Sequence, residues 1–343
     1  MAEIMDRKNG HVDAVLSGGV NADRITAGFE RIRFEHCALP ELDLDAIDLS
    51  TRFLNFQLKA PLLISSMTGG PSRAQDINAN LAQAAEALGI ALAVGSQRIA
   101  IETDGSNGLD QRLRHYAPSI PIFANVGAIQ LNYGYGVPEL QRAIEMIGAD
   151  ALILHLNPVQ EALQTGGDRN WAGLGDKIGA VCKALDVPVI VKEVGFGISV
   201  SVARRLVELG VSAIDVAGAG GTSWSAVEGA LSEDPTIRQL AEAYRDWGIP
   251  TTRAIERVRL ACPETPLIGS GGVKTGLDAA KALRLGADLV GQAGSVLRSS
   301  TQSVDAVIAH FETVIEGLRL ACFATGSQDL SALKSATLAS TPA

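Results

Sequence analysis

The chain has 343 residues, of which 47% are hydrophobic and 20% are charged, and its formal net charge is −9. This composition supports a large apolar core and excludes a disordered chain. The negative charge argues against nucleic acid or an anionic membrane as a partner, so an anionic small ligand would need a local cationic pocket.

The N-terminal residues, the longest apolar runs and the cysteines together indicate the cell compartment. The N-terminus is polar and lacks the hydrophobic region of a signal peptide, and no run of about 18 apolar residues would span a membrane. The cysteines form no CxxC pair, and we expect free, buried thiols at Cys37, Cys182, Cys262 and Cys322. These features predict a cytoplasmic protein.

Residues 1–58 precede any regular repeat. They carry a basic pair, Arg7-Lys8, followed by His11, and then a mixed segment that includes Phe53 and Phe56. We expect residues 1–58 to form an arm and cap over the domain that follows. For the basic pair itself, a solvated surface position is the ordinary alternative.

A repeat begins at residue 61. Four apolar runs follow a proline, at Pro61, Pro121, Pro188 and Pro266. Four more runs follow a glycine placed where a helix would end, at Gly89, Gly148, Gly210 and Gly286. Proline is tolerated at the first residue of a strand, so both kinds of run read as buried strands.

Segments with apolar residues at helical spacing fill the gaps between these runs. They cover residues 77–88, 139–147, 172–185, 200–209, 251–261, 277–285 and 303–322, with a weaker segment at 109–116. Eight strands alternating with helices predict a single α/β domain, a (β/α)8 barrel over residues 61–322 with a frayed tail within 323–343. A doubly wound open sheet is the competing fold.

In a (β/α)8 barrel the active site lies at the carboxyl ends of the strands. Nearly every predicted strand here ends in small, polar or glycine-rich residues. These ends are 66–70, 95–98, 125–127, 155–161, 192–195, 218–224, 269–275 and 292–295. Ordinary turn chemistry does not readily explain eight such ends in register, so the pattern indicates a ligand site.

The end of the fourth predicted strand carries the densest polar group. Asn157, Gln160 and Glu161 supply amide and carboxylate oxygens, which Mg²⁺ prefers as ligands. His155 is able to donate to an anion or to carry a proton. The alternative is that Asn157-Pro158 makes only a turn and Glu161 only charges a helix N-terminus.

The last two strand ends favour phosphate binding. Gly271-Gly272 and Ala293-Gly294 expose backbone N–H groups where barrels commonly hold phosphate, although these residues would also suit simple helix starts. Lys192 lies inside an apolar strand, where a cation needs a partner. It could pair with a local carboxylate, form a Schiff base, or face N1 and O2 of a flavin.

A flavin would use the remaining strand ends well. Thr68, Ser96 and Asn125 are placed to hydrogen-bond the ring edge, and Met67-Thr68-Gly69 allows close approach of the backbone. The segment 218–222 matches no dinucleotide fingerprint, so we expect no separate nicotinamide domain.

Taken in order, these motifs resemble one family, the type 2, FMN-dependent isopentenyl-diphosphate isomerases. The resemblance runs from Arg7 to about Gly326. It implies a homo-oligomeric barrel, a tetramer or octamer, that interconverts isopentenyl and dimethylallyl diphosphate. It also implies FMN, NADPH as the reductant of FMN, and Mg²⁺. The motifs that carry it lie at residues 7–11, 66–70, 93–98, 125–127, 155–161, 191–197, 220–224, 246–251 and 269–276.

The resemblance also implies roles for individual residues, carried over by position. Substrate would be bound by Arg7, Lys8, His11, Arg98, His155, Asn157 and Gln160, and Mg²⁺ by Glu161. FMN would be bound by Met67, Thr68, Gly69, Ser96, Asn125, Lys192, Thr222, Gly269, Ser270, Gly271, Gly272, Lys274, Ala293 and Gly294. The catalytic residues would be Lys192, Gln160, Glu228 and His155, with Glu228 assisting proton transfer.

Two positions depart from the pattern of that family. The family often has an acidic residue immediately before the histidine of the N-terminal motif, where this chain has Gly10. It often has arginine three residues after the Glu228 position, where this chain has Leu231. Both differences are expected to affect how well ordered the arm and the neighbouring loop are.

Three other functions compete with this one. An FMN oxidoreductase on the same barrel would need a catalytic His-Gly pair with a nearby arginine, or a nucleophilic cysteine after the sixth strand. Residues 218–247 contain neither cysteine nor histidine. A class I aldolase would use Lys192 as its Schiff-base residue. A barrel that binds a ligand without catalysis is the third alternative, and it does not explain why all the polar residues at the strand ends are present.

Overall fold

Eight parallel strands close into a barrel. This computed structural model describes the backbone of residues 2–67, 73–103 and 108–339, and side chains from residue 9 onward over the same ranges except that of residue 73. The strands are β1 (Thr51–Phe53), β2 (Phe56–Leu58), β3 (Leu62–Ile64), β4 (Ala91–Ala93), β5 (Ile122–Gly127), β6 (Ala151–Leu156), β7 (Val189–Glu193), β8 (Ala213–Asp215), β9 (Leu267–Ser270) and β10 (Leu289–Gln292).

The strand order excludes the open sheet. Strands β3 to β10 are neighbours in sequence order, and β10 pairs with both β9 and β3, which closes the ring. Val290, for example, lies opposite Gly269 on one side and Leu62 on the other. Each of the eight strands overlaps one run of the proline and glycine repeat, with β5, β6 and β10 extending one or two residues past the predicted run, and the predicted (β/α)8 fold is confirmed.

Helices surround the barrel and also cover its mouth. The outer ring consists of α2 (Arg73–Leu88), α4 (Arg112–Tyr116), α5 (Val137–Ile147), α7 (Leu174–Ala184), α8 (Val200–Glu208), α11 (Thr251–Ala261), α12 (Gly276–Arg284) and α14 (Val304–Ala324). The other helices are α1 (Ala2–Ser17), α3 (Arg98–Glu102), α6 (Pro158–Leu163), α9 (Trp224–Leu231), α10 (Pro235–Ala243), α13 (Gly294–Ser300) and α15 (Leu330–Ser335). Residues 218–247, read from sequence as one loop, therefore contain two helices.

Alternation along the strands divides the core into two layers. One face of each strand packs against the outer helices, and the other fills the interior of the barrel with residues such as Phe123, Ile153 and Ile190. Phe53 and Leu58 of the β1–β2 hairpin join this interior cluster beside residues that begin their strands. The hairpin, part of the segment predicted as a cap, thus closes the end of the barrel opposite the strand carboxyl ends.

The tail is more ordered than the sequence indicates. The N–H of Glu35 donates to the carbonyl of Thr337 at 2.9 Å, and the N–H of Ala339 donates to that of Arg33 at 2.8 Å. The prediction of fraying is therefore wrong for residues 337–339, and residues 340–343 lie outside the described part. All four cysteines are free thiols, but only Cys262 and Cys322 are buried; the expectation of burial is wrong for Cys37 and Cys182, which are partly exposed. No helix in the described ranges is long and apolar enough to cross a membrane.

Candidate active site

The carboxyl ends of the strands surround a cavity of about 640 Å³. That volume lies within the range of cofactor and ligand sites. Helix α1 contributes His11 to its wall. The residues proposed from sequence that line the cavity are His11, Met67, Ser96, Arg98, Asn125, His155, Asn157, Gln160, Glu161, Lys192, Thr222, Ser270, Gly271, Gly272, Lys274, Ala293 and Gly294.

A few proposed residues do not line this cavity as described. Gly269 is not among the residues that line the cavity, and a Cβ there would lie 2.7 Å from Ile255 Cδ1 on α11, so its role in cofactor binding stays a prediction. Glu228 is buried behind the cavity wall. Thr68 and Gly69 lie outside the described residues, as do the side chains of Arg7 and Lys8, whose backbone belongs to α1.

Three neighbouring strands place polar side chains at one level of the barrel interior. His155 on β6 lies opposite Lys192 on β7, and Lys192 lies opposite Asp215 on β8. Two residues earlier, Ile153 and Ile190 occupy the apolar interior. Because strand side chains repeat with a period of two, this polar level forms the floor of the cavity.

His155 is held by a chain of amide and hydroxyl contacts. Its Nδ1 lies 2.7 Å from Asn125 Oδ1, and Asn125 Nδ2 donates to Ser66 Oγ at 2.6 Å. Since an amide oxygen only accepts, this arrangement assigns the Nδ1 proton to His155. The imidazole is therefore fixed in orientation by its contact with Asn125.

Lys192 has a carboxylate partner that the sequence reading did not name. Its Nζ lies 3.4 Å from Asp215 Oδ2 and donates to the backbone carbonyl of Glu193 at 2.8 Å. The Glu193 carboxylate lies elsewhere, as expected for the opposite face of the strand. It accepts the N–H groups of Val194 and Gly195 at 2.6 and 2.7 Å. Burial raises the pKa of Glu193 to about 7, outweighing the hydrogen bonds that lower it.

Glu161 lies among amide groups at the start of α6. Its Oε1 accepts from Asn157 Nδ2 at 2.9 Å, and its Oε2 accepts from the backbone N–H of Asp168 at 2.8 Å. Asn157 is the residue before α6 but makes no side-chain cap, so the simple turn interpretation does not account for it. Among the described residues, Asn157 Oδ1 is buried without a hydrogen-bond partner.

The side chains around Glu161 fit one mode of magnesium binding. No group of three or more His, Cys, Asp or Glu side chains that could hold a metal occurs in the described ranges. Mg²⁺ is commonly bound by one or two carboxylates together with substrate phosphates and water. Glu161, with the orphaned Asn157 Oδ1 beside it, suits an ion shared with a bound phosphate rather than one enclosed by protein.

Gln160, Glu228 and His11 meet at the edge of the cavity. Gln160 Nε2 donates to Glu228 Oε1 at 2.8 Å, and His11 Nε2 lies 3.0 Å from the same oxygen. His11 also packs edge-on against Trp224, with ring centroids 5.2 Å apart. The structure thus brings one residue of the N-terminal segment into contact with the proposed proton-transfer acid.

Helix α1, in the N-terminal arm, packs against α9. Ala14 and Val15 pack with Val227 and Trp224 of α9, and Arg298 donates to the carbonyl of Leu16 at 3.1 Å. Apolar contacts therefore hold the described part of α1 against α9, which the sequence analysis does not predict. The sequence reading missed this because glycine and polar residues dilute the apolar pattern.

Arg98 is engaged by carboxylates that sequence reasoning did not connect to it. Its Nη1 donates to Asp168 Oδ2 at 2.8 Å, and its Nε donates to Glu102 Oε1 at 2.9 Å. These contacts raise the pKa of the Arg98 guanidinium despite partial burial. Asp168 Oδ2 also accepts a hydrogen bond from Gln130 Nε2 at 2.8 Å. Because the backbone N–H of Asp168 donates to Glu161, the loop after α6 connects Arg98 to Glu161.

The glycines of the last strand ends are needed for close backbone approach. Gly271 has φ +106°, and a Cβ there would lie 2.2 Å from the carbonyl oxygen of Gly218. Two further polar atoms in the cavity wall, Ser65 Oγ and Gln292 Nε2, are buried without a partner among the described residues. A backbone cradle with orphaned donors in a cavity of this size fits a flavin nucleotide.

Comparisons with known proteins identify the family. Residues 159–340 match the model of the FMN-dependent dehydrogenase family. The chain is 61% identical to the isopentenyl-diphosphate delta-isomerase of Xanthobacter autotrophicus, with 97% of each chain covered. The chain belongs to the FMN-dependent, type 2 isopentenyl-diphosphate isomerase family. The resemblance read from the sequence is thereby confirmed.

Other relatives agree with this assignment. The isopentenyl-diphosphate delta-isomerase of Stutzerimonas stutzeri is 59% identical over 98% of this chain and 97% of its own. Among solved structures, a mandelate oxidase variant aligns with a TM-score of 0.64 at 15% identity, covering 97% of this chain and 99% of that one. A flavocytochrome b2 variant aligns at 0.64 and 17%, covering 97% and 86%. These structures establish a shared fold.

Proposed function

We propose that this protein is an enzyme of isoprenoid biosynthesis that interconverts isopentenyl diphosphate and dimethylallyl diphosphate. The observation that carries the proposal is the Gln160–Glu228 hydrogen bond at one side of a cavity whose floor holds Lys192. Moving a double bond by one carbon requires one proton added and another removed, and this site offers a carboxyl group hydrogen-bonded to a side chain of the cavity wall. The chain's isomerase relatives support this activity.

FMN is the cofactor of the family, and we assign its contacts from the cavity. When bound, FMN in its reduced form supplies an electron-rich ring with an exchangeable proton. Lys192 would meet the negative charge of the ring, and Asn125 and Ser96 would bind its polar edge. The glycines at 271, 272 and 294 would hold the phosphate with backbone N–H groups. Thr68 would belong to the same set.

Substrate diphosphate would be held on the other side of the cavity. Arg98 and His155 provide donors there, and the arm would add Arg7 and Lys8 from above, since Arg suits bidentate phosphate contacts. Glu161 would bind Mg²⁺ together with the diphosphate oxygens. These cations would concentrate an anionic substrate on a chain whose net charge is −9.

Glu228 would hold the proton that is exchanged with the substrate carbon. Gln160 Nε2 donates to one carboxylate oxygen, Oε1, and His11 Nε2 lies 3.0 Å from the same atom, so these two residues would orient the carboxyl group. Helix α1 would exclude water from the mouth, which strengthens electrostatic stabilisation of a cation-like transition state.

NADPH would act as the reductant of FMN, and the protein would work as a cytoplasmic homo-oligomer, a tetramer or octamer. The oligomer is supported by exposed apolar side chains close together in sequence. Trp247 is 57% exposed, Leu240 is 45% exposed and Tyr244 is 40% exposed. A monomer rarely exposes adjacent large apolar groups without a use for them.

The decisive experiment incubates FMN-loaded protein, reduced under anaerobic conditions, with isopentenyl diphosphate and Mg²⁺. We expect dimethylallyl diphosphate by NMR, and far less of it with oxidised FMN or with a chelator. A yellow protein that instead oxidises 2-hydroxy acids would support the oxidoreductase alternative. A colourless purified protein that cannot be loaded with FMN would contradict the proposal.

A further inference from the structure

Asp215 occupies a fully buried position at the floor of the cavity. Its relative exposure is 0%, and that of Lys192 is 7%. The two side chains project inward from neighbouring strands in direct register. Nothing in the motif pattern points to Asp215, because the residue merely ends an apolar strand.

The two carboxylate oxygens of Asp215 have different neighbours. Oδ1 accepts from Ser270 Oγ at 2.6 Å and from the backbone N–H of Ala217 at 3.1 Å. Oδ2 has no hydrogen-bond partner among the described residues and lies 3.4 Å from Lys192 Nζ. Oδ1 thus fastens the carboxyl group to the barrel, and Oδ2 faces the lysine.

The Oδ1 contacts also fix the turn after β8. Ala217 has φ +35°, a left-handed conformation that is costly for a residue with a Cβ. Asp215 accepts the N–H of this residue, and Ala217 lines the cavity. The carboxylate therefore belongs to a rigid part of the cavity floor, so the ammonium it attracts is restrained as well.

We infer that Asp215 is a positioning residue that orients Lys192 and offsets part of its charge. It thereby limits how strongly the cavity stabilises the negative charge that the flavin ring gains on reduction. The inference rests on the proposed function, in which FMN occupies this cavity with its ring near Lys192. A buried charge close to the ring acts through a low effective dielectric, so its removal has a measurable effect.

The Asp215→Asn variant isolates the charge. An asparagine Oδ1 still accepts from Ser270 and Ala217, whereas the negative charge facing Lys192 is lost. The matched control is Ser270→Ala, which removes one Oδ1 contact and keeps the charge. A purely structural role for Asp215 would lower the thermal stability of both variants and leave the flavin potential unchanged.

The measurement is a spectroelectrochemical titration of the FMN-loaded proteins, with thermal melting of each protein as the stability readout. We expect Asp215→Asn to shift the reduction equilibrium toward reduced flavin by about tenfold, which is about 30 mV more positive for a two-electron couple. Ser270→Ala should shift it by less than about twofold. An unchanged potential in Asp215→Asn would overturn the inference.

A second pair of variants covers the case in which Asp215→Asn does not fold. The flavin potential of Lys192→Met is compared with that of the double variant Lys192→Met/Asp215→Asn. The double variant leaves no unpaired charge at the floor of the cavity. Removing the Asp215 charge should again shift the reduction equilibrium toward reduced flavin by about tenfold, and equal potentials would overturn the inference. If wild-type protein forms the allylic isomer while these potentials are equal, the proposed function stands and only the role of Asp215 fails. If wild type does not bind FMN, both fail.

Discussion

Gly10 on α1 and Leu231 on α9 are in direct contact. A Cβ added to Gly10 would lie 2.9 Å from Leu231 Cδ2. These are the two positions at which the sequence departs from its family pattern, which often has an acidic residue at the first and arginine at the second. The two departures therefore meet in space, and the contact that they make between the arm and α9 is apolar.

The Gly10–Leu231 contact predicts coupled effects on substrate binding. Gly10→Asp alone places a carboxylate against an apolar side chain and should raise KM for isopentenyl diphosphate several-fold by loosening the arm. Gly10→Asp/Leu231→Arg should restore much of the loss through an ion pair, making KM more sensitive to salt than in wild type. Steady-state kinetics at two salt concentrations tests this. Additive single-variant effects would refute the coupling.

Lys192→Ala should lose most activity and bind FMN more weakly. The substitution removes a buried cation from the cavity and leaves Asp215 with an unpaired charge, which is strongly destabilising at a buried site. FMN retention is measured by absorbance after gel filtration, and the rate by isomer formation. Lys183→Ala, on the exposed face of α7, is the control. A variant with wild-type FMN occupancy and rate would remove Lys192 from the site.

Much of this architecture follows from the sequence. The strands were predictable because a buried parallel strand reads as an apolar run and because proline or glycine marks each start. The cavity was predictable because polar residues collect at strand ends. The role of Asp215 was not predictable, since a single acidic residue at the end of a strand indicates a function only once its register with Lys192 is known. Asp168 and the arm contacts depend on side chains far apart in the sequence, which no local pattern reveals.

Glu161→Gln should raise the Mg²⁺ concentration needed for half-maximal activity. The variant loses one carboxylate charge at the metal while keeping an oxygen for the Asn157 amide. We expect an increase of about tenfold or more in a magnesium titration. Glu102→Gln is the charge-matched control, since Glu102 pairs with Arg98 at the mouth. Identical titration curves for Glu161→Gln and wild type would exclude Glu161 as a ligand.

Glu193 should make stability fall as pH rises. Its pKa in the folded protein is raised to about 7 from an ordinary value of 4.5, so the folded state holds this proton more tightly than the unfolded state does. Unfolding therefore releases a proton between about pH 4.5 and 7, and raising the pH through this window favours unfolding. One pKa unit is about 1.4 kcal/mol, so the contribution is about 3 kcal/mol.

Glu193→Gln removes this titration while keeping an oxygen for the N–H groups of Val194 and Gly195. Relative to wild type, the variant should gain stability progressively from pH 5 to pH 8 in chemical denaturation. Glu264→Gln, at an exposed position, should show no such trend. Parallel stability profiles for Glu193→Gln and wild type across this range would show that the Glu193 carboxyl is not protonated in the folded protein.

Deleting residues 1–10 should raise KM for isopentenyl diphosphate by at least about tenfold, because it removes Arg7 and Lys8. Each charged hydrogen bond to the diphosphate contributes roughly 1.5–3 kcal/mol. The deletion ends before Ala14 and Val15, which pack against α9, so thermal stability and the bound FMN spectrum should change little. Arg7→Gln/Lys8→Gln in the full chain separates charge from helix length and should reproduce most of the increase. If the shortened protein keeps its wild-type KM, the arm does not bind substrate, and Arg7 and Lys8 leave the proposed site.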